Sequence, residues 1–126
     1  MGTIKQQALK LENFNKRDVR TQFGALCWRR RNGKVQILLV TSRKSQRWIV
    51  PKGWPMEGKT PAECALIEAW EEAGVQGVAS DACIGVYSYA RLREGEAIIP
   101  CLAMLYPVQV KTLKKKFPEV RDRRRK

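Results

Sequence analysis

Residues 50–74 constrain this chain more than any other stretch, because nearly every position carries a backbone signal. Thr60-Pro61-Ala62-Glu63 reads as a capping box: Thr60 is the N-cap, Pro61 takes the first helical position, and Glu63 reaches back to the cap. Gly74 is a left-handed stop for the same helix. Between them Ala62, Ala65, Leu66, Ala69 and Ala73 form one apolar stripe. Its small side chains predict close packing against a sheet. Ahead of the cap, Val50-Pro51-Lys52-Gly53-Trp54-Pro55-Met56-Glu57-Gly58-Lys59 is broken by glycines and prolines that forbid regular structure and permit a tight loop. The unit is therefore a strand, an irregular loop and a short helix.

The helix carries three acids where a helix tolerates them least. Glu68, Glu71 and Glu72 fall within an arc of roughly 100° at helical spacing, on the side predicted to lie opposite the apolar stripe. Like charges at i,i+3 and i,i+4 destabilise a helix by roughly 0.2–0.5 kcal/mol per pair. The negative end of the helix dipole adds about 0.3–1 kcal/mol. A divalent cation on these oxygens reverses both penalties; a solvated acidic face is the plainer reading.

This unit resembles the Nudix box. That pattern runs Gly, five residues, Glu, seven residues, Arg-Glu, an aliphatic residue, any residue, Glu-Glu, any residue, Gly and an aliphatic residue. Gly53, Glu68, Ala69, Glu71, Glu72, Gly74 and Val75 fill their places in a span of 23 residues. Lys59 stands where the first Glu is expected, and Ile67 where the Arg is expected. The flanking Arg47-Trp48-Ile49-Val50-Pro51-Lys52-Gly53 and Pro61-Ala62-Glu63 are similar to the diphosphoinositol polyphosphate and diadenosine polyphosphate hydrolase branch.

The resemblance implies an α/β fold, the Nudix αβα sandwich around a mixed sheet. It also implies Mg²⁺-dependent hydrolysis, with Mn²⁺ as an alternative ion, of a diphosphate linkage in a highly anionic substrate. By the same analogy Glu71 and Glu72 are metal ligands, and the carbonyl of Lys52 is another. Glu68 is a further ligand or the group that activates water. The chain has no His, so a histidine base is excluded and metal-bound hydroxide or a carboxylate must serve. Arg20, Arg43, Lys44, Arg47, Lys52 and Arg91, with Gly53, match places that meet phosphates in the diphosphoinositol branch. The two departures leave three outcomes open. The site recruits another charge, such as Arg91 or Arg93; its metal affinity falls; or catalysis is lost and the domain binds RNA or another polyanion instead.

The chain of 126 residues fits one domain, with residues 1–17 an arm or short helix and 18–126 a single Nudix-like unit. It has no run of eighteen apolar residues to span a membrane and no apolar signal segment at its start. Cys27, Cys64, Cys83 and Cys101 show no metal-binding spacing and sit in apolar runs, which predicts free, buried thiols in a reducing cytoplasm; Cys64 falls one turn before Glu68 on the acidic face. Residues 19–30, 35–41 and 97–106 read as strands, the last two buried and 35–41 central. Trp48-Ile49-Val50 is a short strand, and 75–90 is extended. Asn32-Gly33 marks one hairpin turn and residues 93–96 another. Trp48 is expected in the core and Trp70 in packing. Trp54 either pins the loop or stacks on a substrate.

Net charge is +13, concentrated at the end: residues 111–126 hold nine basic and two acidic side chains. Such a tail reads as a solvated segment that gathers polyanions, a nucleic acid or a small polyphosphate. Nudix relatives continue beyond such a segment into one more strand and a helix. The resemblance thus implies that these are absent here, the sequence being truncated or one sheet face being covered by the N-terminal arm or by a second copy in a homodimer.

Overall fold

The computed structural model describes residues 20–91 and 99–126. The expected N-terminal arm and the turn at 93–96 lie outside those residues. Eight strands and one helix follow in the order β1 Thr21–Arg31, β2 Lys34–Ile37, β3 Val40–Thr41, β4 Trp48–Ile49, β5 Lys52–Gly53, α1 Pro61–Ala73, β6 Val75–Ala79, β7 Gly85–Arg91 and β8 Ile99–Leu113.

Two long strands make the spine. β1 and β8 run parallel, from Thr21 opposite Leu102 to Trp28 opposite Gln109. Each outer edge of this pair is divided between two short antiparallel strands. β2 and β5 share the edge of β1, and β7 and β6 share the edge of β8. The sheet is mixed, as expected. Helix α1 lies against β1, β5, β6 and β8, and it is the single helix among the described residues. Ala65, Ala69 and Ala73 have no exposed surface, so the small stripe does bring helix and sheet close together. The core around it includes Phe23, Ala25, Cys27, Tyr106 and Val108.

The helix ends follow their sequence signals. Thr60 Oγ1 accepts from the Glu63 N–H at 3.1 Å, and Glu63 Oε1 accepts from the Thr60 N–H at 3.0 Å. Gly74 stops the helix at φ 70°, ψ 24°. A Cβ there would also lie 2.6 Å from the Phe117 ring and 2.8 Å from the Lys114 carbonyl. The Asn32-Gly33 turn has positive φ at both residues and joins β1 to β2 with Arg31 opposite Lys34, the form that suits the twist of a hairpin.

Four expectations need correction. The apolar run 35–41 is not one central strand. β2 is an edge strand with all four residues exposed, and Val40–Thr41 pairs with β4 in a separate two-stranded sheet. The edge of β1 explains the break: past the Leu38 N–H bond to Cys27 O, it is taken by residues 51–53, with the Ala25 N–H on Pro51 O at 2.8 Å. Trp48 is not core; it is 38% exposed, with the Arg124 guanidinium and Lys126 Nζ each 5.5 Å from its ring centroid, a cation–π arrangement. The four thiols are free as expected, but they are not all buried: Cys27, Cys64 and Cys101 are, while Cys83 is exposed.

The basic tail, fourth, is not a solvated arm. Backbone bonds join Leu39 and Lys126 in both directions, and the Thr41 N–H donates to Arg124 O. Phe117 is 7% exposed. Arg125 donates to Ala73 O at 3.0 Å and Lys114 O at 2.8 Å, placing a cation on a carbonyl at the helix C-terminus. Lys114, Lys115 and Lys116 remain exposed. Arg124 and Arg125 meet rings and backbone carbonyls, partners that carry no counter-charge.

Candidate active site

Where α1 ends, the loop after β4, β5 and the tail enclose a cleft of about 460 Å³. Glu68 and Glu72 lie in it one helical turn apart. The helix supplies both, and the backbone around them explains their placement. Gly53 lies so close that a Cβ on it would fall 2.2 Å from Glu68 Oε1; glycine leaves the space that the carboxylate occupies. The Lys52 N–H donates to Glu72 Oε2 at 3.3 Å. Glu72 is 3% exposed, so it does not point away from the core as the helical arc alone suggests. The 51–53 segment and the tail close over it.

Burial pushes both carboxyls above the ordinary range. For Glu68 the shift is largest, to about 9, with a hydrogen bond to Glu72 and that residue's charge adding to the loss of water. Glu72 is also raised by burial, against the opposing pull of the bond with Glu68 and the charge of Arg123. Without a cation, then, the two carboxyls resist ionising together. Paired carboxyls of this kind suit a hard divalent ion, which supplies the missing charge. Among the described residues no three carboxylates or thiols converge closely enough to hold a metal by themselves. A cation on this pair completes its shell with other oxygens, as Mg²⁺ commonly does with water and phosphate.

Of the residues singled out from sequence, Arg43, Lys44, Lys52, Gly53, Glu68 and Glu72 line the cleft, and Trp54 is at its wall. Glu71, Arg20 and Arg47 do not line it. Glu71 lends its backbone carbonyl to the Glu119 N–H at 2.9 Å, and Arg20 O accepts from the Leu102 N–H at 3.1 Å. Arg47 braces its own loop through Ser42 and Ser45. Arg91 ends β7.

Among the cleft residues that escape sequence reasoning are Gln22, Tyr89, Glu119 and Arg123. Tyr89 Oη donates to Gln22 Oε1, and Lys52 Nζ lies 5.1 Å from the Tyr89 ring centroid. Arg123 Nη2 is 3.4 Å from Glu72 Oε1, and its Nε is 3.1 Å from Glu119 Oε1. Glu119 also pairs with Arg43. Only the last two carried a sequence signal, opposite charges four residues apart in the tail. A second cavity of about 510 Å³ lies between β1, β2 and the tail. Its described lining includes Cys27, Trp28 and Leu38 but no carboxylate, so it offers no comparable chemistry.

The sequence profile of the NUDIX domain matches residues 20–121. The chain is 34% identical over 99 residues to Nudix hydrolase 16, mitochondrial, of Arabidopsis thaliana, covering 75% of this chain and 54% of that protein. Nudix hydrolase 12, mitochondrial, of the same plant is 29% identical over 96 residues, covering 74% and 47%. Human diphosphoinositol polyphosphate phosphohydrolase 3-alpha is 38% identical over 66 residues, covering 52% and 37%. The chain thus spans about half the length of the curated relatives it matches. A solved structure, the C. elegans Ap4A hydrolase, superposes with a TM-score of 0.56 at 19% identity, covering 85% of this chain and 79% of that one; this likeness shows the fold.

Proposed function

Because this chain belongs to the NUDIX domain family, we propose that it hydrolyses a diphosphate linkage in a highly anionic small molecule, with Mg²⁺ or Mn²⁺ as cofactor. The diphosphoinositol polyphosphate and dinucleoside polyphosphate classes are the substrates proposed. The observation that carries this reading is the pairing of half-buried Glu68 with buried Glu72 in a cleft also lined by Arg43, Lys44 and Lys52. Hydrolysis uses water to break one P–O bond of the anhydride, leaving the oxygen on the departing phosphate. A bound Mg²⁺ would supply Lewis acidity toward the phosphoryl oxygens and make water a better nucleophile.

The chain's own residues do the rest. Glu72, fixed by the Lys52 N–H and Arg123, is the ligand whose position is set in advance. Glu68 is the second ligand or the acceptor of the water proton; its raised affinity for protons suits either a shared site or a base near neutrality. Arg43, Lys44 and Lys52 orient the phosphates, and their charge raises the encounter rate of a polyanion. Trp54 at the wall is placed to cover a base or an inositol ring. Glu71 is the weakest member of the expected ligand set, since it does not line the cleft. The polyanion-binding alternative loses ground because Arg123, Arg124 and Arg125 are engaged within the fold.

The test is phosphate release from diphosphoinositol pentakisphosphate, diadenosine tetraphosphate and capped RNA, with Mg²⁺ and with chelator. Mg²⁺-dependent turnover of either of the first two is expected. Release from none of the three, by a chain that is folded, would reject the reading.

A further inference from the structure

We propose that Arg123 is the positioning residue of this cleft, supplying from the C-terminal segment a charge that the helix lacks. The inference rests on the hydrolase reading above. Helix α1 has no basic residue in its last turn, and Ile67 offers no charge at the place where the Nudix pattern has an arginine. The acids at that helix end must be balanced from elsewhere.

Arg123 fits that need by geometry. Its side chain is 11% exposed, and its guanidinium binds three separate elements. Nη2 lies 3.4 Å from Glu72 Oε1 on α1. Nε donates to Glu119 Oε1 at 3.1 Å. Nη1 donates to the Thr41 carbonyl of β3 at 2.9 Å. Spreading three contacts over three nitrogens of one rigid plane is what the guanidinium does and the compact ammonium of lysine does not. The Lys52 N–H holds the other oxygen of Glu72, so the carboxylate is held from both sides. Neither contact exhausts its lone pairs, and the same oxygens remain available to a cation in the cleft. Arg123 is itself aimed by Glu119, whose backbone N–H is bonded to Glu71 O. Helix, tail and β3 are thereby tied at one guanidinium, and Glu72 is oriented before any ligand arrives. Groups that orient a metal ligand in this way typically contribute about 10–100-fold to metal affinity.

Mn²⁺ binding to the full chain, read by the electron spin resonance signal of the free ion, tests this without reliance on any substrate. Arg123→Gln is expected to weaken Mn²⁺ binding by about 10–100-fold, and Arg123→Lys by less. Because Arg123 acts through Glu72, its effect should vanish on a Glu72→Gln background, where adding Arg123→Gln should change affinity by less than about twofold. If Arg123→Gln does not fold, the same cycle run with Arg123→Lys decides. Ile67→Arg in the unsubstituted chain should leave Mn²⁺ affinity within about twofold, since the charge is already present. A folded Arg123 variant with unchanged affinity, losses that multiply with Glu72→Gln, or a tenfold gain from Ile67→Arg would each overturn the inference while leaving the hydrolase reading standing. Failure of the unsubstituted chain to bind Mn²⁺ would instead reject that reading, and this inference with it.

Discussion

Gly53 shows how a single residue can matter to chemistry and little to folding. A Cβ at that position would sit 2.2 Å from Glu68 Oε1, and the atom it displaces is the end of a movable side chain. Gly53→Ala should therefore leave the melting temperature within a few degrees. Yet it should lower turnover by at least about tenfold, since misplacing a reacting group by about 1 Å can cost a factor of a hundred. Calorimetry beside a phosphate-release assay separates the two effects; a large loss of stability with unchanged turnover per folded molecule would contradict the account. Glu68 also predicts a pH dependence. Its carboxyl is raised from 4.5 to about 9 in the fold, so between those values the folded chain binds more protons than the unfolded one. Stability of the metal-free protein should then fall as pH rises through that window. Mg²⁺ should raise the melting temperature more at pH 8.5 than at pH 5.5, and Glu68→Gln should flatten both trends. A Mg²⁺ effect that is equal at both pH values would count against the shared-carboxyl site.

At the level of elements, α1 and the loop before it hold the part of the site that sequence can reveal. Capping, stripe and stop are local, and each depends on residues within a turn or two of the feature it specifies. Thr60→Ala should cost about 1 kcal/mol, the usual contribution of an N-cap side chain, and lower the melting temperature by a few degrees. No measurable shift on thermal unfolding would mean that the cap bonds at 3.0 and 3.1 Å are not maintained in solution. Other features depend on distant partners, and there sequence reading falls short. The run 35–41 is nearly continuous in apolar residues, yet only Val40 and Thr41 are buried in a strand; competition for the edge of β1 decides this, and no local pattern records it. Helical periodicity puts Glu72 on the arc opposite the apolar stripe and cannot show that the 51–53 segment and the tail cover it. Arg123 and Glu119 lie far from the box in sequence; their spacing of four marks them as a pair but cannot tie that pair to Glu72.

Across the whole molecule, the C-terminal end of the chain is bound into the fold. The tail meets residues 39–41, packs Phe117 against Gly74 and places Arg123 on Glu72. Deleting residues 114–126 should consequently unfold the protein or abolish turnover at every salt concentration. An arm that only gathered polyanions would behave differently: its loss would raise KM at low salt, and the effect would fade by about 0.5 M, where the Debye length is roughly 4 Å. The proposed chemistry depends on Glu72, the cleft acid that is buried, held from both sides and proposed to bind the metal. The most direct test is the turnover of Glu72→Gln at saturating Mg²⁺ on whichever panel substrate the unsubstituted chain hydrolyses. The expected result is a folded protein slowed by at least about a hundredfold, or roughly 2.7 kcal/mol of transition-state stabilisation; turnover within threefold of the unsubstituted chain would contradict the assignment.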